Sequence, residues 1–367
     1  MGFLALAKVA DFPNFFSLKH FLVCVLNWGL GHASRCVPLI RRIVESGARV
    51  SLASDGDALE LLRIEFPDLP CLVLPPYRIR YPFGNMTLNM ALQMPRVIRA
   101  IQQEHRVVKQ FVGREKVDCV ISDNRYGCWA VKTPSIFLSH QLRPLIPNPL
   151  LEGPVHWGIA RWLHRFDEVW IPDQPPPHAL AEKLHKGFQG RPLRYLGWLS
   201  RFATPLPPKN WEYELAAILS GPEPQRTLLE EAVLRQAERI PGKLLLVRGR
   251  PSPPQHLPSN VDGCELVSGR ELEVWVRKSR FLLCRSGYSS LMDLKALGRS
   301  ALLVPTPGQT EQLYLAARAR EGRWCVVQSQ ERLDLLAGLE ELRALPPFAS
   351  LQPPSPNWEP LDALLGS

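Results

Sequence analysis

The chain lacks the sequence features of membrane-spanning and secreted proteins. No stretch of its 367 residues reaches the roughly 18 apolar residues that a membrane span requires. The segment before Phe21 is broken by Asp11, Pro13 and Asn14, where a signal peptide would be continuously apolar. The eight cysteines form no C-x-x-C pair and several lie in apolar, strand-like runs. We therefore expect buried thiols in a reducing, cytoplasmic compartment.

The chain also lacks the signature of a nucleic-acid-binding module. Its formal net charge of +9 indicates an anionic partner. The arginines are scattered, however, and no run of Lys and Arg is interleaved with aromatic residues. The sequence therefore predicts no nucleic-acid partner and leaves acidic lipid headgroups or a phosphorylated substrate as the anion.

Two α/β domains are predicted from the order of apolar segments. From Phe21 onward, short β-rich runs alternate with longer helical stretches, the pattern of βαβ units that feed a parallel sheet. A proline-rich stretch after Trp198 interrupts this alternation, which then restarts. We therefore expect two Rossmann-like, doubly wound parallel-sheet domains that face a cleft, with ligands beyond the carboxyl ends of the strands. The predicted boundaries are an N-terminal extension at 1–20, a first domain at 21–200, a linker at 201–212, a second domain at 213–350, and a tail at 351–367 that packs back on the first domain.

A glycine-rich loop follows the first predicted strand. Gly29 and Gly31 would let backbone amides approach a ligand, and His32 would lie at the start of the next helix, aimed into the crevice. The G-x-G-x-x-S spacing, with Asp55 after the second strand, also fits a dinucleotide fingerprint, so an NAD-binding oxidoreductase is an alternative. Asp55-Gly56-Asp57 matches the D-x-D of metal-dependent sugar transferases, but a helix N-cap with a first-turn acid explains it better, and we predict no metal.

Three loops at predicted strand ends form a second ligand-binding face in the other half. Each is a turn rich in glycine, serine or other polar residues that opens a helix, so amides and arginines there would meet a phosphate. The candidate residues are Ser220, Gly221 and Arg226 in the first loop, Arg285, Ser286, Gly287, Ser289 and Asp293 in the second, and Glu311 and Gln312 in the third.

The order and spacing of these blocks resemble glycosyltransferase family 28 and its relatives of the GT-B fold, including the peptidoglycan N-acetylglucosaminyltransferase that makes lipid II. The resemblance spans Phe21 to about Trp324 and is strongest in the segment 285–293, followed by Val304-Pro305 and by Glu311-Gln312. It implies an acceptor site in the first domain and a nucleotide-sugar site in the second.

The resemblance also implies roles for the donor-side residues. Ser286, Gly287 and Ser289 would lie near the diphosphate, and Asp293 would replace a glutamate that holds the ribose hydroxyls. Glu311 and Gln312 would face the donor sugar. The donor would be a UDP-sugar, which is a substrate, so no cofactor is expected. Arg285 or Arg226 and the helix ends would stabilise the departing diphosphate.

The implied reaction is an inverting transfer of a hexose-type sugar to an acceptor hydroxyl, which requires a base on the acceptor side. Three residues at predicted strand ends are candidates: His32, Asp123 and His140. Each has a plainer interpretation, since a histidine can cap a helix or only bind the acceptor, and Asp123 can be an N-cap. A sugar-nucleotide epimerase or hydrolase of the same fold and a noncatalytic nucleotide-binding protein remain alternatives beside the oxidoreductase.

The acceptor is least defined by the sequence. The loop Tyr77–Met86 mixes basic, aromatic and apolar residues, as would suit docking at an anionic bilayer, here the inner membrane face, although an ordinary loop packed on its own domain fits equally. The acceptor is accordingly taken as a lipid-linked or glycan hydroxyl. Trp157 and Trp162 are expected in the core.

Overall fold

The computed structural model describes residues 18–78, 86–146, 148–188, 190–202, 211–250, 257–346 and 355–366, of which 86–91 are described by their backbone alone. Within them the chain forms two parallel sheets with helices on their faces, which confirms the predicted pair of α/β domains. Most of the predicted extension, the predicted linker from 203 to 210, and the predicted docking loop from 79 to 85 lie outside the described residues.

The first sheet has seven parallel strands in the order β3-β2-β1-β4-β5-β6-β7. Its strands are β1 (His20–Val25), β2 (Arg49–Ser54), β3 (Cys71–Val73), β4 (Cys119–Asp123), β5 (Ser135–Leu138), β6 (Glu168–Ile171) and β7 (Leu193–Tyr195). The central strand β1 is buried along its whole length, as expected of a continuous apolar run covered on both faces. The strand order reverses between β1 and β4, whose last residues Val25 and Asp123 are paired in register. This is the switch point at which such sheets bind ligands.

Five helices connect these strands. They are α1 (Gly31–Glu45), α2 (Gly56–Glu65), α3 (Met86–Glu115), α4 (Pro149–Leu163) and α5 (Glu182–His185). Helix α1 buries Ala33, Cys36, Leu39, Ile40 and Ile43, which recur at helical spacing, against the sheet. Because α1 directly follows β1, its first turn lies at the switch point.

The second sheet has six parallel strands in the order β10-β9-β8-β11-β12-β13. Its strands are β8 (Tyr213–Ile218), β9 (Leu244–Val247), β10 (Val261–Cys264), β11 (Ser279–Cys284), β12 (Leu302–Leu303) and β13 (Val326–Val327), and its helices are α6 (Gln225–Leu234), α7 (Gly269–Arg277), α8 (Tyr288–Leu297), α9 (Thr310–Glu321) and α10 (Leu335–Ala344). The order reverses between β8 and β11, whose ends Ile218 and Cys284 are paired. The two predicted glycine-containing loops therefore emerge side by side.

Local sequence signals explain several helix boundaries. Helix α7 begins with a capping box, in which Ser268 and Glu271 satisfy each other's backbone amides. Helix α8 ends at Gly298, which takes a left-handed conformation that glycine adopts without a steric penalty.

The end of the chain returns to the first domain. Helix α11 (Glu359–Leu365) places Leu361 in the first domain's core, fully buried. Asp362 pairs with Arg42 at 2.9 Å, and Lys19 donates to the carbonyl oxygen of Leu364. Within the described residues, no helix is both long enough and apolar enough to cross a membrane.

Candidate active site

A histidine and an aspartate meet at the switch point of the first sheet. His32 lies in the first turn of α1, and Asp123 is the last residue of β4. The Nδ1 of His32 lies 3.1 Å from Oδ1 of Asp123, which is fully buried. The Nε2 of His32 has no hydrogen-bond partner among the described residues, and 14% of its side chain is exposed. The pair has the geometry of a general base oriented by a carboxylate.

Besides His32, two further side chains of α1 hold Asp123. Arg35 donates from Nε at 2.9 Å and from Nη2, and Cys36 donates from Sγ at 3.3 Å. Arg35 is itself buried, so its charge and that of Asp123 compensate each other away from water.

The charges around this dyad set its protonation. Burial by itself would raise the pKa of Asp123, but the positive charge of Arg35 and the hydrogen bonds from His32 and Arg35 outweigh burial and hold that pKa well below its usual value. Burial lowers the pKa of His32, and the attraction of Asp123 offsets only part of this effect. At neutral pH, Asp123 is therefore a carboxylate and His32 is uncharged.

The hydrogen bonds also decide which nitrogen of His32 carries the proton. Nδ1 lies near both Asp123, an acceptor, and Nη2 of Arg35, a donor, at 2.9 Å. Because the Asp123 carboxylate can only accept hydrogen bonds, its contact with Nδ1 requires a proton, and we assign that proton to Nδ1. The lone pair of Nε2 is then available to accept a proton.

The two domains touch directly beside this dyad. Ser289 Oγ in α8 donates to the carbonyl oxygen of Gly31 at 2.7 Å. A β-carbon at Gly31 would lie 3.1 Å from that Oγ, so a larger residue there would force one side of the contact to shift. Gly29 has a φ of +78° and forms the preceding turn. The first turn of α1 thus faces the first turn of α8.

His140, after β5, bridges the cleft. Its Nδ1 lies 2.7 Å from Nη1 of Arg35, and its Nε2 lies 3.0 Å from Oε1 of Glu311 in α9. Its ring stacks on Tyr288 with centroids 4.2 Å apart. Tyr288 in turn donates from its hydroxyl to the carbonyl oxygen of Pro172 at 2.6 Å.

Several of the predicted donor-side residues converge at the switch point of the second sheet. Gly221 has a φ of +105°, and a β-carbon there would lie 3.5 Å from Thr306 Oγ1 and 3.9 Å from Arg285 Nε. Both of these atoms are buried without a hydrogen-bond partner in the described structure. Burial lowers the pKa of Arg285 to about 10, so the group stays cationic at neutral pH. It makes no ion pair with a described carboxylate, and its other nitrogens donate to Val304 O, Pro305 O, Gln225 O and Gln330 Oε1.

The N-terminus of α8 lies at the same point. Its N-cap is Gly287, which has no side chain to satisfy the first-turn amides. Ser286 Oγ donates to the carbonyl oxygen of Gln312 at 2.8 Å, which ties this loop to α9. The side chain of Gln312 accepts from the amide of Thr306 at 2.8 Å and donates to Gln309.

Two predicted donor residues have protein partners. Asp293 accepts from Ser200 Oγ at 2.7 Å and lies 3.5 Å from Arg201 Nε, so the chain between the domains reaches the position predicted for ribose. Arg226 pairs with Glu223 and Glu230. Ser220 lies beside Gly221, half-buried. The ligand roles of these residues stay predictions.

Asp55 corrects the N-cap prediction. It occupies the N-cap position of α2, but its side chain makes no capping bond. It pairs instead with fully buried Arg125 and accepts from Asn27 Nδ2 at 3.1 Å. Arg125 also pairs with Glu104 at 2.7 Å. The carboxylate of Asp55 is therefore part of a buried ion-pair network.

Trp157 corrects the core prediction, because 70% of its surface is exposed. Helix α4 packs against the domain through Ile159, Trp162 and Leu163. Trp157 precedes Trp162 by five residues and Leu163 by six, and this spacing places it on another face of the helix. Trp162 is half-buried, as expected.

Sequence reasoning missed Arg35, Tyr288 and Thr306. Arg35 follows His32 by three residues on one helix, so the i, i+3 spacing was the available signal. Tyr288 and Thr306 lie inside loops that were singled out, but their contacts cross between loops. Within the described ranges, no group of three or more His, Cys, Asp or Glu side chains is arranged to hold a metal ion.

The chain is similar to known glycosyltransferases over most of its length. No family model matches it. It is 26% identical over 303 residues to the UDP-N-acetylglucosamine--N-acetylmuramyl-(pentapeptide) pyrophosphoryl-undecaprenol N-acetylglucosamine transferase of Methylobacterium nodulans, covering 77% of this chain and 76% of that protein. It is 28% identical over 311 residues to the enzyme of the same name from Methylorubrum extorquens, covering 79% and 78%.

Solved structures confirm the fold. The calicheamicin glycosyltransferase CalG4 superposes with a TM-score of 0.62 at 15% identity, covering 95% of this chain and 99% of that one. The predicted GT-B fold and the resemblance to family 28 are thus confirmed, and the comparisons support a transferase over the epimerase, hydrolase and oxidoreductase alternatives.

Proposed function

We propose a specific reaction for this chain, a glycosyltransferase of the GT-B fold similar to family 28: inverting transfer of a sugar from a UDP-sugar to a hydroxyl of a lipid-linked acceptor. The observation that carries the proposal is the His32–Asp123 dyad held against the first turn of α8. The relatives' printed names specify UDP-N-acetylglucosamine as donor and an undecaprenol-linked acceptor, which supports both substrate classes.

In the proposed step, His32 Nε2 removes the proton from the acceptor hydroxyl as its oxygen attacks the anomeric carbon. The bond from that carbon to the diphosphate oxygen breaks, and the electron pair leaves with the nucleoside diphosphate. Asp123 stabilises the imidazolium that forms. Attack from the face opposite the leaving group inverts the anomeric configuration.

The diphosphate would lie where Gly221, Arg285, Thr306 and the start of α8 converge. Among the described residues, the buried Arg285 has no ion-pair partner, the buried hydroxyl of Thr306 has no hydrogen-bond partner, and the first amides of α8 are not capped by a side chain. All three features favour an anion. These groups would stabilise the charge that develops on the leaving group without a metal.

The lipid-linked acceptor would approach along α3 and α4. These helices are neighbours, since Trp162 packs with Val97 and Ile101 of α3. Their outer faces expose apolar side chains next to exposed arginines: Leu92, Met94 and Ile98 beside Arg96 and Arg99 on α3, and Leu150, Leu151 and Trp157 beside Arg161 on α4. Such a surface fits peripheral docking on an anionic membrane, the inner face in a cytoplasmic protein.

The test is a donor panel scored by binding and by transfer. Titration calorimetry with UDP, GDP, TDP and NAD should show UDP binding most tightly, and Thr306→Val should weaken UDP about tenfold by removing one hydrogen bond to a charged group. Thr133→Val, far from the cleft, is the control. With UDP-N-acetylglucosamine and an undecaprenol-linked glycan, NMR of the product should show inverted configuration. Retention of configuration, or tighter binding of NAD than of UDP, would contradict the proposal.

A further inference from the structure

A chain of four side chains crosses the cleft from the acceptor domain to the donor domain. It runs from Asp123 through Arg35 and His140 to Glu311, with Arg35–His140 and His140–Glu311 distances of 2.7 and 3.0 Å. We call these four residues the relay. It links the partner of the base to a residue at the start of α9.

The chemistry of its members fixes every proton in the relay. An arginine can only donate, so Nδ1 of His140 must accept from Arg35. A neutral histidine then carries its proton on Nε2, which donates to Glu311. Burial would raise the pKa of Glu311, but the hydrogen bond from His140 and the nearby positive charge of Arg35 lower that pKa below its usual value. Glu311 is therefore a carboxylate that can only accept hydrogen bonds.

The geometry holds the His140 ring on three sides. Arg35 donates a hydrogen bond to one edge of the ring, and Glu311 accepts one from the other edge. Tyr288 stacks on one face with an interplanar angle of 12°. Tyr288 is anchored by its hydroxyl to the backbone. A side chain constrained in this way can hold its partner in one orientation.

Glu311 itself is only partly enclosed. About a quarter of its side chain is exposed, and Oε2 has no hydrogen-bond partner among the described residues. One carboxylate oxygen is thus held by His140, and the other is left to accept a further hydrogen bond.

We infer that Arg35 and His140 are positioning residues that hold the Glu311 carboxylate ready to accept a hydrogen bond from a hydroxyl of the donor sugar. The inference rests on the proposed function, because it assumes a sugar nucleotide in the cleft. The relay then makes recognition of the sugar depend on acceptor-side residues, while the nucleotide is bound by the second domain alone.

Two replacements of His140 separate its two hydrogen bonds. The amide nitrogen of His140→Gln reaches the position of Nε2 and can still donate to Glu311. The amide of His140→Asn reaches only the Nδ1 position. Its oxygen can accept from Arg35, but the hydrogen bond to Glu311 is lost. His105→Asn is the matched control, since His105 also stacks on an aromatic ring, that of Trp129 at 4.1 Å, away from the cleft.

The experiment measures the Kd of UDP and the kinetics of UDP-N-acetylglucosamine and UDP-N-acetylgalactosamine, which differ at one hydroxyl. We expect His140→Asn to raise KM for the preferred donor about tenfold and to reduce discrimination between the two sugars. His140→Gln should stay within about threefold of the unmutated protein, and UDP should bind all variants within about twofold.

Unchanged donor KM in His140→Asn would overturn the inference. A loss of UDP affinity as large as the rise in donor KM would also overturn it, because the relay would then only hold the two domains together. If the unmutated chain neither binds UDP nor turns over either sugar nucleotide, the proposed function fails, and the inference fails with it.

Discussion

Ser289 donates a hydrogen bond across the cleft to the backbone of Gly31, at 2.7 Å. The contact joins the helix that carries His32 to the helix whose amides face the predicted phosphate. The two helix starts are therefore in direct contact, and small changes at this contact should affect the reaction more than the fold.

Gly31→Ala tests this close approach. The added methyl would lie 3.1 Å from Ser289 Oγ, so one side must shift by a few tenths of an ångström. We expect kcat to fall at least tenfold because displacement of reacting groups is costly, while the Tm changes little. Gly113→Ala, in α3 with open space around it, should leave kcat unchanged and stabilise the chain by up to about 1 kcal/mol. Equal kcat in both variants would contradict the close contact.

The pH profile tests the assignment of His32. A general base acts only when it is unprotonated, so activity is lost as pH falls through its pKa. Because burial lowers the pKa of His32, we expect the acid limb of kcat/KM to have its midpoint below pH 6.5. His32→Gln should abolish that limb and reduce kcat about 10²- to 10⁴-fold. Replacement of exposed His178 by Gln should change neither. A limb that survives in His32→Gln would assign the base to another group.

The ion-pair network around Arg125 predicts a large effect on stability. Arg125→Met would leave Asp55 and Glu104 without their shared counter-ion in the interior. We expect the free energy of unfolding in urea to fall by about 3 to 5 kcal/mol. Arg235→Met removes an exposed pair with Glu231 and should cost less than about 1 kcal/mol. Similar losses would show that the Arg125 network contributes no more than a surface pair.

The proposed membrane surface predicts a difference between two exposed apolar residues. Trp157→Ser on α4 should reduce binding to vesicles that contain phosphatidylglycerol, with a loss of at least fivefold in sedimentation. Val274→Ser removes an apolar side chain of α7 in the second domain, half of which is exposed, and should have no effect. Unchanged binding by Trp157→Ser would indicate that the acceptor arrives by another surface.

The sequence predicted the architecture because its signals are local. The buried runs of β1 and β8, the helix starts at His32 and Tyr288, and the break after Trp198 each depend on a few neighbouring residues. The strand ends then bring His32 and Asp123 together, since a parallel sheet aligns its carboxyl ends at one edge.

The contacts that the sequence could not predict are those between distant segments. Arg125 pairs with Asp55, which lies 70 residues away in the sequence, and this ion pair replaces the N-cap bond that the local sequence favours. His140 meets Glu311 across 171 positions and between domains. Trp157 shows a second limit of prediction from sequence. Helical spacing fixes which residues share a face, but not whether another part of the protein covers that face.

The return of α11 to the first domain ties the two domains together twice. The second connection arrives beside the first, because the amide of Asn357 donates to the carbonyl oxygen of Leu196 at 2.7 Å. A body held at one point can turn about three axes, whereas one held at two neighbouring points turns about the line between them. Any rotation of one domain against the other should therefore be confined to the line between these two connections.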